Sequence, residues 1–165
     1  MLILGIDPGL ATTGYGLVRK TDEHLQGVDY GYIETQAELP LPERLLIIFL
    51  EISALIKKYL PDALAVEQLF FCKNVRTALQ VGQARGAVLT AAAQMGRPVY
   101  EYTPLQVKQA IAGYGKADKK QVQQMVRLIL KLKEVPKPDD VADALAIAVS
   151  HIQSSRWREL LEKQE

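Results

Sequence analysis

Leu2-Ile3-Leu4-Gly5-Ile6-Asp7-Pro8-Gly9 is a short apolar run that meets a carboxylate and then a turn. It is too brief for a helix and is bounded by the strongest chain punctuators, so it reads as a buried strand ending in a turn. Ala63-Leu64-Ala65-Val66-Glu67 repeats the pattern, an apolar run closed by an acid. Between the two, residues 14–19 and 25–35 alternate with β-branched and aromatic residues, which predicts two further strands and a three-stranded opening meander. Pro42-Glu43-Arg44 begins a long apolar-rich segment to Leu60, with Pro61 as its stop, and this reads as a helix.

After the second acid-tipped run the elements alternate. Asn74 is a candidate cap for a helix to about Met95, and Val99–Tyr102 reads as another strand. From Pro104 the pattern is helical, with breaks at Gly113-Tyr114-Gly115 and Pro136-Lys137-Pro138 and a last helix from Asp139 to about His151. The order predicts an α/β domain whose mixed five-stranded sheet, a three-strand antiparallel meander plus two parallel strands, is flanked by helices. A single domain over 1–153 with a polar tail over 154–165 is expected.

Composition narrows the chemistry. The 165 residues are 48% hydrophobic, enough for one core. A signal peptide is not expected, because Asp7 ends the opening apolar run early; nor is a membrane span, which needs roughly 18 uncharged apolar residues. A cytoplasmic protein follows as the expectation. One cysteine, Cys72, makes no internal disulfide, and His24 and His151 are not at metal-ligand spacing, so neither redox nor zinc chemistry is indicated. The net charge of +1 hides an asymmetry. Residues 1–72 carry 5 basic and 10 acidic side chains, residues 73–133 carry 11 and 2, and residues 134–165 carry 4 and 7. A cationic block between acidic flanks suits phosphate binding, although the solvated faces of two or three helices would give the same count.

The carboxylates carry more. Asp7 and Glu67 each follow a buried strand, and parallel neighbours would bring both to the carboxyl edge of the sheet, where open α/β sheets place their sites. Asp140 and Asp143 are three residues apart and share a helix face. Asp139 and Asp140 also suit a helix start through capping and the helix dipole, and Asp7 before Pro-Gly suits a turn. Four carboxylates in one space repel, so they either take up protons or hold a hard cation such as magnesium through oxygen ligands.

Asp7-Pro8-Gly9 with Gly14-Tyr15-Gly16, Val66-Glu67-Gln68, Gly82-Gln83-Ala84-Arg85-Gly86, Gln106-Val107-Lys108-Gln109 and Ala142-Asp143-Ala144-Leu145-Ala146 together resemble the RuvC family of bacterial junction resolvases. The blocks occur in the family's order from residue 2 to about 152. The resemblance implies a ribonuclease H-like fold and a structure-specific endonuclease that resolves four-way (Holliday) DNA junctions by symmetric nicking in recombination and repair. It also implies a homodimer, association with the branch-migration helicase proteins RuvA and RuvB, and catalysis with about two Mg²⁺ ions, for which Mn²⁺ is a substitute. The implied metal-binding acids are Asp7, Glu67, Asp140 and Asp143, with Asp139 beside Asp140 an open alternative. Lys108 and Lys119 match positions that approach the scissile backbone, and Phe70 matches a wedge that stacks on a junction base. Lys73, Arg76, Arg85, Lys116 and Lys120 are candidates for further phosphate contacts. The helix rich in small residues around Gly82, Ala84 and Gly86 suits close approach, to a neighbouring helix or to a second subunit.

Three rival readings remain. A phosphotransferase of the actin and sugar-kinase type shares Asp7-Pro8-Gly9 but needs two large domains. A nuclease of the same fold that processes ribosomal RNA precursors would lack the Gly82–Gly86 and Gln106–Gln109 blocks. A junction-binding protein without catalysis is opposed by the acids, which repel phosphate unless a metal intervenes.

Overall fold

The computed structural model describes residues 1–22, 24–68 and 74–162, with the last helix described by its backbone alone beyond residue 155. Its elements are β1 (Leu2–Asp7), β2 (Thr12–Lys20), β3 (Leu25–Glu34), α1 (Leu41–Tyr59), β4 (Ala63–Glu67), α2 (Val75–Gln94), β5 (Val99–Tyr102), α3 (Pro104–Ala112), α4 (Lys119–Ile129) and α5 (Asp139–Glu162). The strands form one sheet in the order β3-β2-β1-β4-β5. β1, β2 and β3 are the antiparallel meander, while β4 runs parallel to β1 and β5 parallel to β4. The mixed sheet foreseen from the apolar runs is therefore the one observed.

The strands are buried on both sides because helices cover both faces. Leu4, Ile6, Leu17, Leu64 and Val66 pack against Ile48, Ile52 and Ile56 of α1 and Ala84, Val88, Ala91 and Ala92 of α2. On the opposite face Ile3, Val18, Ala63 and Ala65 meet Leu145, Ala148 and Val149 of α5, with Val107 and Ile111 of α3 and Val122 and Val126 of α4 beside them. This two-sided burial is why β1 and β4 read as continuous apolar runs while β3, at the edge, alternates.

Helix starts follow their capping chemistry. The Asn74 side chain accepts from the Arg76 and Thr77 amides at 3.0 and 3.4 Å. Thr103 with Gln106 and Asp118 with Gln121 close reciprocal capping boxes at the starts of α3 and α4. One boundary departs from the sequence reading: α5 does not stop near His151 but continues to Glu162. No glycine or proline follows His151, and a polar Gln-Ser-Ser-Arg stretch breaks hydrophobic periodicity without breaking a helix.

Three glycines decide how closely α5 lies on the sheet. A Cβ at Gly5 would stand 2.1 Å from the Ala144 carbonyl oxygen, one at Gly14 would stand 2.0 Å from that of Asp140, and one at Gly16 would meet the Leu145 side chain at 2.6 Å. The bare backbones of β1 and β2 thus form a lane into which α5 settles. Because Gly14 is the register partner of Asp7, the first turn of α5 comes down beside the end of β1.

Candidate nuclease centre

β1 and β4 are parallel neighbours with Ile6 opposite Val66, so Asp7 and Glu67 leave the sheet side by side at its carboxyl edge. The glycine lane sets Asp140 and Asp143 against them. The electrostatics register the gathering. Asp7 is pushed up from an ordinary 3.8 to about 8, first by burial and then by the charges of Glu67, Asp143 and Asp140. Burial also raises Glu67, with Asp143 adding to it. Asp143 is raised by burial against the pull of the Lys119 ammonium, with Asp139 and Asp140 adding repulsion.

Lys119, the first residue of α4, is the local counter-ion. Its Nζ lies 3.1 Å from Asp143 Oδ2 and 3.3 Å from Asp139 Oδ2. Burial disfavours its charged form, but these two carboxylates together outweigh that and raise its pKa. The two neighbouring acids at the start of α5 are thereby separated. Asp139 is turned to Lys119, while Asp140 has its backbone against Gly14 and its charge felt by Asp7.

Lys108, one turn into α3, joins Lys119, Glu67 and Asp143 around a cleft of about 240 Å³ with Val107, Val122, Ala146 and Ile147 in its wall. Cations beside carboxylates at the mouth of an apolar cleft can hold an anionic chain close to a cation-binding centre. Lys116, Lys120 and Arg76 are exposed. Arg85 is not a free phosphate contact: its guanidinium pairs with Glu101 of β5, and its side chain is only 19% exposed. The sequence gives no hint of that pairing, because Glu101 is reached only through the β4–β5 register. Phe70 and Lys73 lie outside the described residues.

The donor set suits a hard divalent cation, since all four acids offer oxygen and their mutual repulsion is what a cation relieves. The acids converge without closing. Among the described residues no three His, Cys, Asp or Glu side chains stand near enough to share one ion, with Asp143 held by Lys119. Among the same residues no helix is long and apolar enough to cross a membrane.

The chain is similar to known proteins over nearly its whole length. The family model described as "Crossover junction endodeoxyribonuclease RuvC" matches residues 3–151. A protein of that name from Desulfitobacterium hafniense is 64% identical over 154 residues, covering 93% of each chain. One from Brevibacillus brevis is 60% identical over 153 residues, covering 93% of this chain and 92% of that one. Among solved structures, Thermus thermophilus RuvC in complex with a Holliday junction substrate superposes with a TM-score of 0.91 at 43% identity, over 95% of this chain and 96% of that one. The yeast mitochondrial Holliday junction resolvase, at 15% identity and a TM-score of 0.67 over 99% of this chain and 86% of that one, shares the fold.

Proposed function

The chain belongs to the RuvC family of crossover junction endodeoxyribonucleases, and on that footing we propose that it resolves four-way (Holliday) DNA junctions by metal-dependent nicking, in recombination and repair. The observation that carries the mechanistic part is the gathering of Asp7, Glu67, Asp140 and Asp143, with Asp7 held near pKa 8 by burial first and then by the charges of the other three. Those four acids are the proposed catalytic and ligand set. Asp140 is preferred to Asp139 because its charge reaches Asp7 while Asp139 engages Lys119. Magnesium, about two ions with manganese as substitute, would supply Lewis-acid activation of a water and stabilisation of the leaving oxygen, giving a 5′-phosphate and a 3′-hydroxyl.

The chain's own residues bind and orient. Lys108 and Lys119 flank the cleft beside Glu67 and Asp143, where they meet the phosphates next to the cut. Lys116, Lys120 and Arg76 extend the cationic surface, and Lys73 and Phe70 are proposed contacts on the family's pattern. Residues 1–153 serve as the nuclease domain.

A homodimer places one centre on each of the two symmetric strands. Its support is the apolar surface that α1 and α2 leave exposed among the described residues: Leu46 and Leu50 are each 53% exposed, Leu79 is 62% exposed, and a Cβ at Gly86 would meet none of those residues within 4 Å. Association with RuvA and RuvB is proposed from family membership.

The test is nicking of a synthetic four-way junction against a linear duplex of matched sequence, with and without magnesium. Paired, symmetric, metal-dependent nicks on the junction alone are expected. Tight binding without cutting would leave a junction-binding protein, and no binding would overturn the junction reading.

A second prediction separates the roles of Lys119. Lys119→Met should tighten divalent-metal binding, because the ammonium no longer competes for Asp143, and should lower junction cutting by about tenfold through the lost phosphate contact. Calorimetric titration and single-turnover nicking read the two effects. Weaker metal binding in the variant would contradict the competition.

A further inference from the structure

The turn Pro8–Ala11 that follows Asp7 is fastened by two buried threonines. Thr13 is fully buried and its hydroxyl donates to the Gly9 carbonyl at 2.7 Å. Thr35, 5% exposed, donates from Oγ1 to the Leu10 carbonyl at 2.5 Å and from its amide to the Ala11 carbonyl at 3.0 Å. Three successive carbonyls of one turn are therefore held from the side. Behind Thr35 stands Arg44 of α1, whose Nε donates to Thr35 Oγ1 at 2.8 Å.

The direction of this chain matters. A hydroxyl has one proton to give. With its oxygen accepting from a guanidinium, Thr35 must direct that proton to Leu10, and the cation polarises the hydroxyl so that the second bond strengthens. Burying such a chain is costly unless each member is satisfied, and each is. A turn that only reversed the chain would need no more than Pro8-Gly9. This one is tied past the end of β3 to α1, immediately after Asp7, on which the charges of Glu67, Asp143 and Asp140 bear.

We infer that Thr35, oriented by Arg44, is a positioning residue that holds the Pro8–Ala11 turn and so sets the placement of Asp7 in the proposed metal centre. The inference rests on the metal-nuclease reading above and extends it to residues that touch neither metal nor DNA. Thr35→Val keeps the shape and removes the hydroxyl. Partners bonded directly to a ligand typically carry 10–100-fold in metal affinity; Thr35 acts through the backbone of the turn, so Thr35→Val should weaken binding of manganese(II) to the full-length protein by about tenfold, the low end of that range. Thr35→Ser should recover binding to within about twofold of wild type.

The experiment is calorimetric titration with manganese chloride, accompanied by thermal melting, on wild type, Thr35→Val, Thr35→Ser and Tyr59→Phe. Tyr59 donates to Asp29 Oδ2 at 2.5 Å and thus links the same α1 and β3 far from the turn, so its variant controls for general loosening. Arg44→Met, which leaves Thr35 in place, should weaken binding by about threefold and covers the case in which Thr35→Val does not fold. Support consists of weakened binding in Thr35→Val and Arg44→Met, recovery in Thr35→Ser and wild-type binding in Tyr59→Phe. Unchanged affinity in both Thr35→Val and Arg44→Met, or equal losses in Tyr59→Phe, would overturn the inference while leaving the metal reading intact. Failure of the wild-type protein to bind manganese would overturn both.

Discussion

Asp7→Asn is expected to lower junction cutting by at least on the order of 10³-fold while making the metal-free protein more stable at neutral and alkaline pH. The activity loss follows from removing the acid at the middle of the group. The stability gain follows from the sign of its titration. In the unfolded chain Asp7 releases its proton near 3.8, whereas in the fold it holds it to about 8. Between those values the folded state carries a proton that the unfolded state has lost, so the wild-type contribution to stability declines as pH rises through that window and is gone above pH 8. Asparagine has no such decline. The expected advantage of the variant at pH 8.5, without metal, is on the order of 3 kcal/mol, less than an independent group would show because the carboxylates titrate together. Urea unfolding in chelator at pH 5 and pH 8.5 measures it. A variant less stable at both values would mean that Asp7 is chiefly a turn residue.

Gly14→Ala is expected to cost about 1–3 kcal/mol or more and to reduce cutting by about a hundredfold, although residue 14 carries no chemistry. Its Cβ would lie 2.0 Å from the Asp140 carbonyl oxygen and 2.4 Å from its carbonyl carbon, far inside an ordinary 3.4 Å contact. Neither partner can yield by rotating a side chain, since both are backbone. The relief available is for the first turn of α5 to lift, and that turn carries Asp140 and, one turn on, Asp143. Misplacement by about 1 Å is enough for the stated loss of rate. Single-turnover nicking at saturating junction, with a melting curve, separates the two effects. Wild-type cutting in a folded variant would show that α5 need not touch the sheet for the centre to work.

The contrast between these residues shows what the sequence makes legible. The ends of β1 and β4 were readable because two-sided burial leaves an apolar run with one acid at its tip, and chain polarity then brings Asp7 and Glu67 together. Asn74, Thr103 and Asp118 announce helix starts through local chemistry. Gly5, Gly14 and Gly16 carry no such announcement, since a glycine that admits a crossing helix looks like any other until the helix is known. Lys119 and Arg85 were both read as cations facing DNA. One is paired with Asp143 and the other with Glu101, and each partner is distant in sequence. The far end of α5 was missed because its hydrophobic periodicity fades before its backbone geometry does.

The acids come from widely separated parts of the chain: Asp7 from the first strand, Glu67 from the fourth, Asp140 and Asp143 from the last helix. Synthesis delivers them in that order at roughly 5–20 residues per second. A growing chain that has completed the meander and both helices of one face still lacks Asp140 and Asp143, half of the proposed ligand set. On the proposed reading the centre is complete only once the whole sheet and the first turns of α5 have come together, so a chain that stalls before Asp139 carries half a centre.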